Sequence, residues 1–173
     1  MIIVLEGLDG SGKTTLANLL ATEYDIPIYS MDREISWNAN MVDAWATGIT
    51  DIAIYDFIEK VGVQGVILDR SVLSNYAYKK YKDEFILNLY LSYINRINIR
   101  IIYLDGALDA IYRSKKNFDE YDRVCVGPEE VLERYDYALS CLPRNSWVHI
   151  DTRLHDARET FIIARRFLDN SKC

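Results

Sequence analysis

Residues 7 to 14 read Gly-Leu-Asp-Gly-Ser-Gly-Lys-Thr, a Gly-x4-Gly-Lys-Thr spacing set between an apolar run at Ile2 to Leu5 and a helical apolar period at Leu16, Leu19 and Leu20. Glycines at 7, 10 and 12 let the backbone wrap a phosphate with its N–H groups turned inward, and a helix opening near Lys13 adds its positive dipole end. A strand before the turn and a helix after it is the context in which this pattern binds nucleotides. Gly7, Asp9, Gly10, Ser11, Gly12, Lys13, Thr14 and Thr15 are therefore expected to cradle ATP. Lys13 should reach the β- and γ-phosphates, and the Thr14 hydroxyl should be a ligand of Mg²⁺.

The remaining apolar runs repeat the first. Ile26 to Tyr29, Gly65 to Leu68, Ile99 to Leu104 and Trp147 to Ile150 are each short and mainly apolar, interrupted only by Arg100 and His149. Strands buried on both faces of a parallel sheet read this way, and the stretches between them are long enough for right-handed helical crossovers. The expected fold class is α/β, with a parallel five-stranded sheet flanked by helices on both faces. With 173 residues, half of them apolar, a single domain over 1–173 is expected.

Composition narrows the partners. A net charge of -6 argues against a surface that grips nucleic acid, because neutralising backbone phosphates demands a basic field. A small acceptor in a local basic pocket fits better. Cys125, Cys141 and Cys173 are few, odd in number and without metal-ligand spacing, so neither a disulfide framework nor a zinc site is expected. With no signal-like N-terminus and no apolar run near the ~20 residues of a membrane span, the chain is expected to be soluble, cytoplasmic and without a membrane partner.

A second carboxylate is needed opposite Thr14 for the metal. Val66 to Asp69 is an apolar strand ending in an acid, and Tyr103 to Asp105 has the same form. Asp69 is preferred because Arg70 follows it and opens a polar helical face. At 100° per residue, Arg70, Ser71, Ser74, Asn75, Tyr78 and Tyr81 fall within an arc of about 140°. A guanidinium there can grip a phosphate, Asn75 can bond a base edge or sugar, and Tyr78 can pack on a ring. The plainer alternative is a solvated helix face. Two irregular segments follow strand ends: Ser30 to Ser36, with Asp32, Arg33 and Glu34, and Ser114 to Gly127, with Lys115, Lys116, Asp122 and Arg123. The aromatic stretch Phe85 to Tyr93 is either core or an interface.

The wording Glu-Gly-Leu-Asp-Gly-Ser-Gly-Lys-Thr-Thr at 6 to 15, with Asp-Arg-Ser-Val-Leu-Ser-Asn-Tyr-Ala-Tyr at 69 to 78, resembles the thymidylate kinase family. The likeness continues through Tyr103 to Asp105, Arg113, Asp122-Arg123, Tyr135 and Val148 to Asp151. It implies a P-loop kinase with a short mobile lid near 114–127, acting as a homodimer in nucleotide biosynthesis. The implied reaction is ATP- and Mg²⁺-dependent phosphorylation of a deoxynucleoside monophosphate, dTMP or a related pyrimidine nucleotide, to the diphosphate. On the matching positions, Lys13 is catalytic and Asp9 contacts the acceptor. Arg70 holds the acceptor phosphate, with Arg33 as a second contact, and Asn75 and Tyr78 lie at base and sugar. Positions 10 and 11 are Gly and Ser, so a catalytic arginine would come from the lid, as Arg113 or Arg123.

Asp69-Arg70-Ser71 is also similar to the Glu-Arg-Ser motif of deoxynucleoside kinases, and Ser71 stands where the thymidylate kinases carry Tyr. A deoxynucleoside kinase using Glu34 or Asp32 as general base is thus a second reading. A kinase for a hydroxyl of a modified nucleotide in DNA is a third, and a non-catalytic nucleotide-binding module a fourth.

Overall fold

The computed structural model describes residues 1–30, 41–79, 83–106 and 126–170, with side chains from Gly48 onward in the helix that begins at Met41. At its centre lies β1 (Ile2–Gly7), buried along its whole length. It pairs in parallel with β3 (Val66–Asp69) on one side and β4 (Ile99–Asp105) on the other. β2 (Ile28–Ser30) lies beyond β3 and β5 (Trp147–Asp151) beyond β4, giving the all-parallel order β2-β3-β1-β4-β5.

Among the described residues the helices are α1 (Lys13–Tyr24), α2 (Met41–Val61), α3 (Val72–Tyr78), α4 (Glu84–Arg96), α5 (Pro128–Ser140) and α6 (Ala157–Asp169). They divide into two layers, and β1 shows why its sequence has no polar alternation. Ile2 and Val4 enter a core with residues of α2, α3, α4 and α5, while Ile3 and Leu5 enter the opposite core with α1 and α6. Local chemistry starts the helices. Asp83 accepts from the N–H groups of Phe85 and Ile86, Pro128 opens α5, and Asp156 and Glu159 form a reciprocal capping box on α6.

The register sets where chemistry can happen. Leu5 is level with Asp69, Gly7 with Leu104, and Asp105 with Asp151, so all these carboxyl ends share one edge. From β1 the chain runs outward to β2, returns inside at β3 and then crosses β1 to reach β4. The end of β1 is therefore the switch point of the sheet, where open α/β folds place a ligand crevice.

Two expectations need correction. The second strand begins at Ile28 rather than Ile26, and it is not buried on both faces: Ile28 and Tyr29 are each 39% exposed. It is an edge, and Pro27 just before it contributes only its carbonyl, which accepts from Ile67 N at 2.9 Å. β5 is the other edge, with His149 exposed. The inner strands run further than their apolar letters, to Gly7, Asp69 and Asp105, because backbone pairing continues after the side chains turn polar. One side of the Phe85 to Tyr93 stretch is core, with Ile86, Leu87, Tyr90 and Tyr93 buried and the Tyr90 ring 5.0 Å from that of Tyr55, while Phe85 is exposed. Among the described residues no helix is long and apolar enough to cross a membrane.

Candidate active site

Gly7 ends β1 with φ of 134°, and a Cβ there would stand 2.0 Å from the Leu104 carbonyl oxygen. Only glycine permits strand and loop to pass that close to β4. The turn is closed by Ser11 N donating to Leu8 O at 3.2 Å, and Gly12, with φ of 90°, stands at the N-cap of α1 without a side-chain cap. Lys13 lies beneath this loop, 7% exposed, and its ammonium donates to Gly7 O (3.1 Å) and Leu8 O (2.7 Å). Burial, helped by the nearby Arg70 charge, pushes its pKa down to about 8, while Asp9, Asp69 and Glu6 hold it up.

Thr14 Oγ1 faces Asp69 Oδ2 at 3.5 Å. The other oxygen of Asp69 is buried and has no hydrogen-bond partner among the described residues. One hydroxyl and one carboxylate with an unspent oxygen suit Mg²⁺, which keeps several waters and is held by one or two protein groups together with phosphates. No group of three or more His, Cys, Asp or Glu that could cage a metal occurs among the described residues.

On the other side of the loop is Arg70, whose backbone takes a left-handed φ of 75° while its N–H bonds Leu5 O at 2.9 Å. The guanidinium forms an ion pair with Asp9 and donates to Ser74 Oγ at 3.1 Å and to Gly7 O at 3.4 Å. It also lies 5.3 Å from the centre of the Tyr78 ring, and the Tyr78 hydroxyl accepts from Asp9 N at 3.2 Å. Asp9, Arg70 and Tyr78 thus form one unit.

A cleft of ≈ 220 Å³ opens on the opposite flank of the loop, where Gly10, Gly12 and Thr15 face Thr152 and His155. Its far wall is the turn after β5. That turn is fixed by Arg153, which bridges Asp105 (3.1 Å) and Asp151 (2.7 Å), and by Thr152, whose N–H and hydroxyl both donate to Asp105 O at 2.9 Å.

No family model matches the chain. Over 80 residues it is 34% identical to a protein of Acidianus bottle-shaped virus (isolate Italy/Pozzuoli) named "Putative thymidylate kinase", covering 45% of this chain and 47% of that one. The chain therefore spans about half the length of this curated relative. Among solved structures it is similar to the YorR protein of Bacillus subtilis, in complex with phosphorylated GDP (TM-score 0.64, 24% identity, 100% of this chain and 99% of that one). It is also similar to deoxyadenosine kinase of M. mycoides (TM-score 0.63, 18% identity, 99% and 100%) and to thymidylate kinase of Candida albicans (TM-score 0.63, 18% identity, 99% and 92%). The fold is that of a P-loop nucleotide kinase.

Against this kinase fold, the polar face expected on α3 divides three ways. Arg70 and Tyr78 turn to the P-loop. The Asn75 amide donates to the buried carboxylate of Asp51 on α2 instead of standing open beside Tyr78. Ser71 and Ser74 are buried rather than solvated, and both donate to Glu6. Asp105, the rival of Asp69, is engaged by Arg153. Arg33, Asp32, Glu34, Tyr81, Arg113 and Arg123 lie outside the described residues, as does the expected lid up to Cys125.

Sequence reasoning missed two things. Thr152 and His155 form the cleft wall, and the only hint was that a strand end precedes them. Glu6 carried a clearer signal, being an acid inside an apolar strand, which cannot be buried without donors. It is fully buried, with Ser71, Ser74 (2.6 Å) and Tyr135 (2.9 Å) donating to it. Burial pushes its pKa up against the pull of these hydroxyls and of Arg70.

Proposed function

We propose that the chain is a kinase that moves the γ-phosphoryl group of Mg·ATP to a deoxynucleoside monophosphate, dTMP or a related nucleotide, forming the diphosphate. The observation that carries the proposal is Arg70, a partly buried guanidinium held by Asp9 and Ser74 on the flank of the P-loop away from the ≈ 220 Å³ cleft. The P-loop then separates two sites. The cleft suits the donor's base and sugar, and Arg70 with Tyr78 suits an acceptor that bears a phosphate.

Phosphoryl transfer asks mainly for alignment and charge stabilisation. Lys13, at the root of the loop, supplies a fixed positive charge beside the donor phosphates. Thr14 and Asp69 are the groups that would hold Mg²⁺, which when bound neutralises charge on the β- and γ-phosphates. Asp9 is committed to Arg70 and is not free to act as a base. A monophosphate acceptor needs no base, because its oxygen is already ionised at neutral pH, whereas a sugar hydroxyl does need one. The curated relative's name supports the same acceptor class. The neighbour solved with phosphorylated GDP makes purine acceptors worth including in the test.

The test is turnover with ATP and Mg²⁺ on the deoxynucleoside monophosphates, thymidine and an oligonucleotide. Turnover of a monophosphate well above thymidine is expected. If thymidine is preferred, and Glu34→Gln or Asp32→Asn loses on the order of 10²- to 10⁴-fold, the protein is a nucleoside kinase instead. No turnover of any acceptor would overturn the kinase proposal.

A further inference from the structure

Glu6 lies one residue before the P-loop, yet the hydrogen bonds it accepts come from Ser71, Ser74 and Tyr135 and not from the phosphate cradle. Its carboxylate is the only acid inside β1 and is fully buried. A buried carboxylate without a structural purpose would be expelled by any apolar replacement, so its three hydroxyl donors need a reason.

The donors differ in what else they touch. Ser71 accepts from Leu73 N at 3.2 Å and so caps α3. Tyr135, on α5, packs its ring edge against Tyr78 with centres 6.1 Å apart. Of the three hydroxyls, that of Ser74 is the one bonded to Arg70: its oxygen accepts from Arg70 Nη1 at 3.1 Å while its proton goes to Glu6 Oε2 at 2.6 Å, and the Tyr135 hydroxyl lies 2.9 Å from the Ser74 oxygen. A hydroxyl has one proton, so the Arg70 bond fixes the direction of the other. Arg70 donates to Ser74 and Ser74 to the Glu6 carboxyl, so each bond in the chain polarises and strengthens the other. Without it the guanidinium would keep Asp9, which is 30% exposed, and a Gly7 contact of 3.4 Å.

We propose, building on the kinase reading above, that Glu6 is a positioning residue that acts through Ser74 to fix the Arg70 guanidinium for the acceptor phosphate. Arg70 binds the acceptor, and Glu6 does not touch it. The fixed orientation is prepared by the strand that carries the P-loop, so donor loop and acceptor clamp are set from one residue.

Three variants test this. Ser74→Ala cuts the relay. Glu6→Gln keeps the shape, with its carbonyl toward Ser74 and Tyr135, and removes the charge. Ser71→Ala removes an equally buried hydroxyl from the same carboxylate without touching Arg70. Ser74→Ala is expected to raise the acceptor KM roughly tenfold with the ATP KM little changed, and adding Glu6→Gln to it should have no further effect. Ser71→Ala should lower Tm and move both KM values by the same factor. If Ser71→Ala and Ser74→Ala behave alike, or if Ser74→Ala and Glu6→Gln effects simply add, the relay is wrong.

A second readout does not depend on turnover. In ¹⁵N spectra of the ligand-free protein, the Arg70 guanidinium should show restricted rotation. That restriction should be lost in Ser74→Ala and weakened in Glu6→Gln, but kept in Ser71→Ala. Restricted rotation retained in Ser74→Ala would overturn the inference even if the protein proved inactive on every nucleotide.

Discussion

Gly7→Ala is the substitution whose cost can be worked most directly from the structure. The new Cβ would start 2.0 Å from the Leu104 oxygen, where an ordinary carbon–oxygen contact is ~3.3 Å or more. Backbone faces it, so β1 and β4 must part by over ~1 Å. Parting them weakens the two or three ladder bonds around the Gly7 and Leu104 pair, at ~0.5–1.5 kcal/mol each. The φ of 134° adds ~1–3 kcal/mol of strain for any residue with a side chain. Together these give ~2–7.5 kcal/mol, out of the ~5–15 kcal/mol that usually holds a domain. At ~2–4 °C per kcal/mol for a chain of this size, Tm should fall by roughly 4–30 °C.

Gly62→Ala is the control, because it shares the left-handed geometry, with φ of 70°, but meets nothing within 4 Å. It should cost ~1 kcal/mol, or roughly 2–4 °C. Thermal melts followed by far-ultraviolet circular dichroism read both. Equal losses in the two variants would refute the close-approach account, leaving only backbone strain.

Lys13→Ala should fold, with Tm within a few degrees, yet lose on the order of 10²- to 10³-fold in turnover, because it removes a fixed charge rather than core packing. Near-normal turnover would sink the kinase proposal. Arg70→Ala should raise the acceptor KM at least roughly tenfold with little effect on ATP; the reverse pattern would mean that donor and acceptor sites are exchanged. With the Lys13 pKa pushed down to about 8, kcat/KM for ATP should fall as pH rises through that value in the free protein. The kcat limb should lie higher, because bound phosphates favour the ammonium. For stability the sign is opposite: between about 8 and 10.5 the unfolded chain binds more protons, so Lys13 contributes stability that grows with pH across that window and vanishes from Lys13→Ala.

What the sequence made legible was local. The P-loop is specified by three glycines and a lysine within eight residues, and Asp69 with Arg70 by an acid and a guanidinium directly after an apolar run. Their meeting with Thr14 and Asp9 follows once β1 and β3 are neighbours. The Glu6 cluster was not legible, because Tyr135 reaches it from 129 residues away and no periodicity predicts which tyrosine arrives. Asn75 illustrates the same limit, since helical spacing placed it on a polar face but could not say that Asp51 would take its amide. The exposure of β2 was hidden for another reason. An edge strand and a central one can carry the same Ile and Tyr letters, and only the sheet order distinguishes them.

The sheet order also governs how the chain can be made. β1 leaves the ribosome before either of its partners, which begin opposite Ile2 at Val66 and Ile99. At the usual rate of synthesis, roughly 5–20 s pass before about 100 further residues are available. Throughout that time Ile2 to Leu5 is an unpaired apolar segment with no local partner, and long-range parallel pairing is slow even afterwards. The strand that carries the phosphate cradle is therefore exposed to wrong pairings until its two partners have been made.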